Sequence, residues 1–242
     1  MDPPRDSCVF CQRFGIRELG TCLFLIDERG DAYVATPVIL VFVADVIEGL
    51  PEEELRFLFL AGRPCLNLAA TVGERWRRSF ERLRTPEDLG RWLVEAGMAA
   101  EPPAVGQAEL EAARALRDAI YRAAKLAGRG ALDPDDVVQI NRWATAPAPV
   151  PQLDADRRVS WVCGRPVHAA LASLARDAID LLSGPLAVRV RECAAKDCAL
   201  LFVDASRPGR RRWCSMEGCG NRAKTTRYRR RQAKTTTKTS PE

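Results

Sequence analysis

Cys193-Ala194-Ala195-Lys196-Asp197-Cys198, followed after 15 residues by Cys214-Ser215-Met216-Glu217-Gly218-Cys219, decides how the C-terminal part of this chain folds. The segment that carries these two matching pairs is too short and too charged to fold around an apolar core of its own. Four thiolates can instead surround one zinc ion tetrahedrally, which in small zinc domains supplies roughly 10–16 kcal/mol of apparent folding free energy. The alternative is four reduced cysteines that share no ligand, and the paired spacing argues against it.

The pattern predicts a single zinc ion with a structural role. Four protein ligands leave no open position for water or substrate, so a zinc held by Cys193, Cys198, Cys214 and Cys219 would not be catalytic. Four thiolates around one zinc also carry excess negative charge, which nearby N–H groups and cations must stabilise. Asn221 has two interpretations. It supports the centre by bonding a thiolate or capping a helix that begins there, which we favour, or it contacts an adenine base.

Positive charge is concentrated around these cysteines. Residues 189–242 carry 15 Lys and Arg against 5 Asp and Glu, whereas residues 1–188 carry 22 against 27. Arg predominates over Lys near the cysteines, and a planar guanidinium suits phosphate and guanine. The sequence predicts a nucleic-acid surface formed by Arg207, Arg210, Arg211, Arg212, Arg222, Lys224, Arg227, Arg229, Arg230 and Arg231.

The expected partner of this surface is DNA. Only Trp213 and Tyr228 are aromatic in the basic segment, and single-stranded nucleic acid is usually held by more stacking side chains. The alternative is a zinc-stabilised module that binds RNA or another protein, which the same basic flank would also serve.

Two sets of motifs resemble known families. The run from Cys214 to Arg222, with Asp204-Ala205-Ser206-Arg207 and Arg210-Arg211-Arg212-Trp213 before it, resembles the CGNR zinc finger. Upstream, residues 59–63, 71–72 and 83–89 are similar to the ABATE domain of stress-induced transcription regulators of actinobacteria. The resemblance covers roughly residues 55–235, and it implies a mostly helical domain that binds a small ligand, joined to a DNA-binding finger.

We therefore expect a mainly α fold with short β elements, an α+β arrangement. Residues 1–54 form an unassigned N-terminal extension, with strands predicted at Cys22–Ile26 and Ala32–Thr36. Residues 55–188 form the helical domain, 189–235 the zinc finger and 236–242 a disordered tail. Thr85-Pro86 and Asp133-Pro134 are typical of helix starts, and the apolar spacing over residues 109–127 predicts another helix. Further predictions are a helix over Val167–Leu182, a helix from Pro64 towards Val72, strands at Phe57–Leu60 and Val159–Cys163, and a loop over Ala146–Pro151.

Arg63, Asn67, Thr71 and Arg75 are spaced four residues apart, so on one helix they would form a polar stripe. Facing inward, the stripe would line a pocket for a polar or anionic ligand; facing outward, it would be ordinary surface.

The sequence offers no catalytic set, so we expect no enzyme. His168 is the sole histidine, and no Gly-rich phosphate-binding loop occurs. Cys8 and Cys11, with Cys22 beyond them, lack a fourth partner for a second metal site. Cys65 and Cys163 are expected to be buried apolar residues.

Three features of the sequence predict a cytoplasmic protein. Residues 1–4 do not begin a secretory signal, and the apolar run Val38–Val43 is far shorter than the roughly 20 residues of a membrane-spanning helix. In a reducing compartment, nine cysteines favour metal ligation over disulfides.

Overall fold

The computed structural model describes residues 23–26, 32–35 and 50–236, with the backbone alone for the first two ranges, for Arg230 and Arg231 and for 233–236. The protein is mostly helical with short hairpin strands, and it divides into two units at residues 1–54 and 55–242. In the first unit, β1 (Leu23–Ile26) pairs antiparallel with β2 (Ala32–Ala35), as predicted. Their connection, and Cys8, Cys11 and Cys22, lie outside the described residues.

Five helices form the frame of the second unit. They are α1 (Pro64–Ala69), α2 (Pro86–Glu95), α3 (Gln107–Leu126), α4 (Pro134–Ala144) and α5 (Pro166–Ser183). The predicted start signals operate as expected. The Thr85 side chain accepts from the Asp88 N–H in a capping box, and the Asp133 side chain accepts from the Asp135 N–H.

Helix α3 lies at the centre of the core. Leu110, Leu116 and Ile120 on its inner face are at most 1% exposed, and α1, α2, α4, α5 and the C-terminal strands all contact it. Helices α3 and α5 contribute many buried alanines, and these small side chains let the helices pack closely. This packing gives the C-terminal segment a rigid base.

Two short hairpins connect the helices. β3 (Val72–Gly73) pairs with β4 (Phe80–Glu81), and β5 (Val150–Leu153) pairs with β6 (Val159–Val162). The predicted strand at Phe57–Leu60 is wrong, because these residues form irregular chain leading into α1. The prediction of a loop through Pro151 is also wrong, since the loop gives way to β5 at Val150.

The geometry of β5 explains how it accommodates a proline. Asp154 N donates to Arg158 O at 3.0 Å, so hydrogen-bonded and non-hydrogen-bonded pairs alternate from there along the ladder. The pair of Pro151 and Trp161 is therefore non-hydrogen-bonded, and the proline nitrogen faces away from β6, where its missing N–H breaks no ladder bond.

The C-terminal segment continues from the helical core. After a 3₁₀ turn come β7 (Val190–Glu192) and β8 (Leu201–Val203), which pair antiparallel, then a π-turn (Met216–Gly220) and α6 (Asn221–Thr236). Phe202 is fully buried, and Val203 N donates to Ala61 O at 2.9 Å. The β7–β8 hairpin and the helices thus share one continuous core. In the part of the chain described here, no helix combines the length and apolarity needed to cross a membrane.

Candidate metal centre and basic surface

Four cysteines from two loops meet beside the β7–β8 hairpin. Cys193 follows β7, Cys198 lies in the turn before β8, Cys214 precedes the π-turn and Cys219 lies within it. Their Sγ atoms all lie within 4.8 Å of one another. Cys214 Sγ is 3.8 Å from Cys198 Sγ and 3.6 Å from Cys219 Sγ. A tetrahedral zinc with Zn–S bonds of ~2.3 Å separates its sulfurs by about 3.8 Å, so the cluster fits that ion.

The four cysteines lie close enough to shift one another's pKa. Hydrogen bonds from the Cys198 and Cys214 thiols lower the pKa of Cys193 to about 2. The hydrogen bond to Cys193 raises the pKa of Cys198 to about 12 and also raises that of Cys214. One thiolate is thus surrounded by thiols that resist ionisation, because further negative charge would lie too close. A dication held by these four residues would stabilise the thiolate form of each.

The surrounding groups are arranged to stabilise negative sulfur. The Cys214 N–H donates to Cys193 Sγ at 3.5 Å, and Arg222 Nη2 donates to Cys219 Sγ at 3.2 Å. Gly220 leaves room for the Met216 side chain against the π-turn, since an added Cβ would lie 2.9 Å from Met216 Sδ. Amide and guanidinium donors to thiolates are the supporting contacts that a four-thiolate metal centre needs.

Asp204 anchors the loop between the two cysteine pairs. This fully buried carboxylate accepts hydrogen bonds from the Ser206 hydroxyl at 2.6 Å, the Ser206 N–H at 3.0 Å and the Arg211 N–H at 2.8 Å. The Ser206 hydroxyl is the main reason that the pKa of Asp204 lies below its usual range. Sequence reasoning missed this role, although an Asp two residues before a Ser is a recognisable local turn signal.

The structure separates the predicted nucleic-acid residues into two groups. Arg211 points inward: its guanidinium stacks over the Phe202 ring at 4.7 Å and donates to the carbonyls of Trp213 and Cys214. Arg222 is shared between the Cys219 thiol and an ion pair with Asp197 at 3.4 Å. Both therefore support the metal centre. Arg211 is partly buried, and its guanidinium is occupied by these internal contacts.

The second group faces solvent. Five of the ten predicted residues have side chains that are exposed and without a hydrogen-bond, ion-pair or ring partner in the described structure; they are Arg207, Arg210, Lys224, Arg227 and Arg229. Arg212 is also exposed, and it stacks over the Trp213 ring at 4.5 Å. Arg230 and Arg231 continue the basic sequence, but their side chains lie outside the described residues.

A groove of about 560 Å³ runs between the first cysteine pair and the start of α6. Its floor is apolar and includes Trp213 and Ala223, and cations line its rim, among them Lys196 and Arg227. The buried indole Nε1 of Trp213 has no hydrogen-bond partner in the part of the chain described here. The groove thus combines apolar surface with positive charge, and Asp197 adds one carboxylate to its lining.

Asn221 begins α6 beside this groove. Its side chain is exposed and makes no hydrogen bond with the described residues. The Ser215 hydroxyl, rather than Asn221, caps the turn by accepting from the Gly218 N–H at 3.0 Å. The structural role favoured from the sequence is therefore not seen, and the amide is free for an external contact.

The four residues proposed to form a polar stripe do not lie on one helix. Helix α1 ends at Ala69, so Arg63 precedes it and two of the four lie beyond it. Arg63 bonds Asp177 and Asp180 of α5, and Asn67 Oδ1 accepts from the Ala61 N–H. The other two are also engaged: Thr71 bonds Leu68 O and Arg75 bonds Asp118 and stacks on Tyr121. The predicted single-helix stripe is wrong, because α1 is shorter than the spacing requires.

The remaining candidate residues have structural surroundings. His168 Nδ1 lies 3.1 Å from Glu109 Oε1, and the ring packs edge-on against Trp143. Cys65 is fully buried, as expected, and burial raises its pKa. Cys163 is partly exposed at the end of the β5–β6 hairpin, so its predicted burial is wrong.

A four-cysteine centre held on a hairpin and followed by a basic helix defines the C-terminal part as a metal-binding finger, packed on a helical unit. The chain belongs to the ABATE family, described as "Putative stress-induced transcription regulator", whose family model matches residues 62–185. The CGNR zinc finger model matches residues 189–232. These matches confirm both resemblances, and the family description is that of a regulator rather than an enzyme. No curated protein matches the chain.

Proposed function

We propose that this protein is a DNA-binding transcription regulator whose finger is held by one structural zinc ion. The ligands are Cys193, Cys198, Cys214 and Cys219, supported by the sulfur separations of 3.6 and 3.8 Å and by the N–H and guanidinium donors around them. The ion would orient the two loops and the start of α6. It takes no part in chemistry, because all four tetrahedral positions belong to the protein.

The observation that carries the DNA-binding proposal is the contrast between engaged and free cations on the finger. Arg211 and Arg222 satisfy carbonyls, a thiol and an acid, whereas five neighbouring cations have no internal partner. Cations that only made the surface soluble would be mixed with acids. On this part of the surface the one exposed acid from Arg207 to Arg229 is Glu217. Such a surface fits the phosphates of a duplex.

Base contacts would come from the groove side of α6. Asn221 is exposed and unbonded in the described structure, and an amide can bond adenine through two hydrogen bonds. Arg212 extends from Trp213 beside the same groove. We assign specificity to this edge and positioning to the cations farther along α6, since phosphate contacts fix orientation while base contacts select sequence.

The helical part of the second unit, residues 55–188, would regulate the finger through the core that the two parts share. A structural change caused by an effector bound to residues 55–188 would be transmitted to the metal centre through β7 and β8, because Phe202 and Val203 pack among the helices. Arg63, Asn67, Thr71 and Arg75 would influence such a response by fixing α1, not by lining a helical stripe. We place the protein's action in the cytoplasm, where its DNA target lies.

The proposal is tested with the full, zinc-loaded chain by crosslinking it in cells and sequencing the nucleic acid it retains. We expect enrichment of defined duplex DNA sites over the genomic background. A matched Asn221→Ala variant should retain DNA but spread over more sites. Enrichment of transcripts without DNA would overturn the proposal in favour of an RNA-binding finger, and recovery of neither would favour a protein-interaction module.

A further inference from the structure

Helix α6 extends from the finger without a buried face beyond its first turn. Every described side chain on this helix after Ala223 is exposed, and the helix packs chiefly against the π-turn that precedes it. Most helices of globular proteins are stabilised by packing an apolar face against a core. A polar helix that is open on all sides has the shape to enter the major groove of duplex DNA, which is about 12 Å wide and admits one α-helix.

One side of α6 carries uncharged side chains that form hydrogen bonds. Successive members of this set are separated by four, three and four residues, a spacing that places them on the same side of an α-helix. All of them are exposed. We call this set the polar face of α6, and it consists of Asn221, Thr225, Tyr228 and Gln232.

Cations border the polar face on both sides. Because successive residues of an α-helix are rotated by about 100°, Lys224 lies on one side of the polar face and Arg229 on the other. Both side chains are exposed and have no partner in the described structure. In a major groove, the base edges lie between two phosphate backbones, so cations at the borders meet phosphates while the side chains between them meet bases. Double-stranded RNA fits less well, because side chains cannot read its deep, narrow major groove.

Hydrogen bonds within the polar face determine what each side chain offers a base. The Thr225 hydroxyl donates to Asn221 O at 3.0 Å, which leaves the threonine methyl group for an external contact. The Asn221 amide has no partner in the described structure. Tyr228 Oη accepts from Gln232 Nε2 at 2.9 Å, and its own O–H has no acceptor among the described residues. The polar face thus offers an amide, a methyl group and a hydroxyl donor in succession.

We propose that the polar face of α6 enters the major groove and selects sites that contain A·T pairs. Asn221 bonds adenine through two hydrogen bonds, the Thr225 methyl group packs against a thymine methyl group, and the Tyr228 hydroxyl donates to thymine O4 or a purine N7. Asn221 and Tyr228 are seven residues apart, about 10.5 Å along the helix, which corresponds to about three base-pair steps. The inference rests on the proposed DNA-binding function and adds the kind of target and the residues that select it.

The methyl contact of Thr225 gives a test that changes one group at a time. Selection from random duplexes with the full, zinc-loaded chain identifies the preferred site, and fluorescence anisotropy then measures affinity as each thymine in that site is replaced by uracil. Uracil lacks only the methyl group, so at one position the wild type should lose about fourfold in affinity. Thr225→Ser keeps the hydroxyl but lacks the methyl group, so it should bind both duplexes equally. The matched control is Thr226→Ser, which lies off the polar face; its hydroxyl also donates to a carbonyl four residues earlier, and it should keep the fourfold difference.

The adenine contact is measured on the same site. The wild type should prefer the contacted A·T pair over G·C by about tenfold, and Asn221→Ala should bind the two duplexes about equally. A selected site without A·T pairs, or a Thr225→Ser variant that still distinguishes thymine from uracil, would overturn the role of the polar face while DNA binding itself stands. A wild type that retains no duplex would overturn the proposed function as well.

Discussion

Salt dependence of DNA binding gives the sharpest test of how the finger is used. Each cation that neutralises a phosphate adds about −0.9 to the slope of log affinity against log salt. Five of the predicted nucleic-acid residues are exposed and lack internal partners in the described structure, so with one phosphate contact each we expect a slope near −4.5. Affinity should then fall about 500-fold between 50 and 200 mM salt.

The perturbation is the triple variant Lys224→Ala, Arg227→Ala, Arg229→Ala. All three side chains are exposed on α6, and alanine favours helix, so the fold and zinc content should be unchanged. Losing three contacts should reduce the slope to about −1.8, and the same change of salt should then cost only about 12-fold in affinity. Fluorescence anisotropy of a labelled duplex at five or more salt concentrations measures both slopes.

The matched control removes equal charge elsewhere. Arg56, Arg129 and Arg142 are exposed and without side-chain partners in the described structure, and they lie outside the finger. Their triple alanine variant should keep the wild-type slope. If the α6 variant and this control had the same slope, the positive charge would act only through the net charge of the protein, and the contact surface assigned to the finger would be wrong.

Three further predictions concern the metal ligands, the core shared by the finger and the helices, and the buried carboxylate of Asp204. Metal analysis should find one zinc per chain, lost in Cys198→Ser and retained in Cys65→Ser; equal zinc in both would contradict the ligand assignment. Chelation should lower the melting temperature of the helical signal as well, because the β7–β8 hairpin shares the helical core; an unchanged helical melt would show independent parts. The lowered pKa of Asp204 stabilises the fold above the carboxyl's ordinary pKa of 3.8. This contribution is lost as pH falls below about 4, so Asp204→Ala should unfold more easily at pH 7 and show less acid sensitivity than the wild type.

Sequence reasoning succeeded where the determining contacts are local. Thr85 and Asp133 cap the helices that follow them, and these starts were predicted because the donor, acceptor and proline lie within three residues of one another. The cysteine cluster was predictable for the same reason, since its spacing and the lack of an alternative core restrict the possibilities.

The sequence-based predictions were wrong where contacts between residues far apart in the sequence determine the local structure. The expected continuation of α1 to Val72 ignored the contacts of Thr71, whose hydroxyl donates to Leu68 O and whose carbonyl accepts from the Arg82 N–H beside the β3–β4 hairpin. The three consecutive arginines before Trp213 look equivalent in sequence, yet Arg211 alone turns inward because the fold brings Phe202 and the Trp213 carbonyl beside it. No periodicity in the sequence encodes that difference.

The shared core of the finger and the helices limits how this family can be rearranged. A protein truncated to residues 62–185 would expose to solvent the helical surface that Phe202 and Val203 cover. If residues 189–232 were transferred to another protein, those two side chains would lose the apolar surface against which they pack. Recombination at the boundary between the two family matches is therefore costly. Under the proposed function, a change of target sequence is expected to arise by substitution on the exposed side of α6.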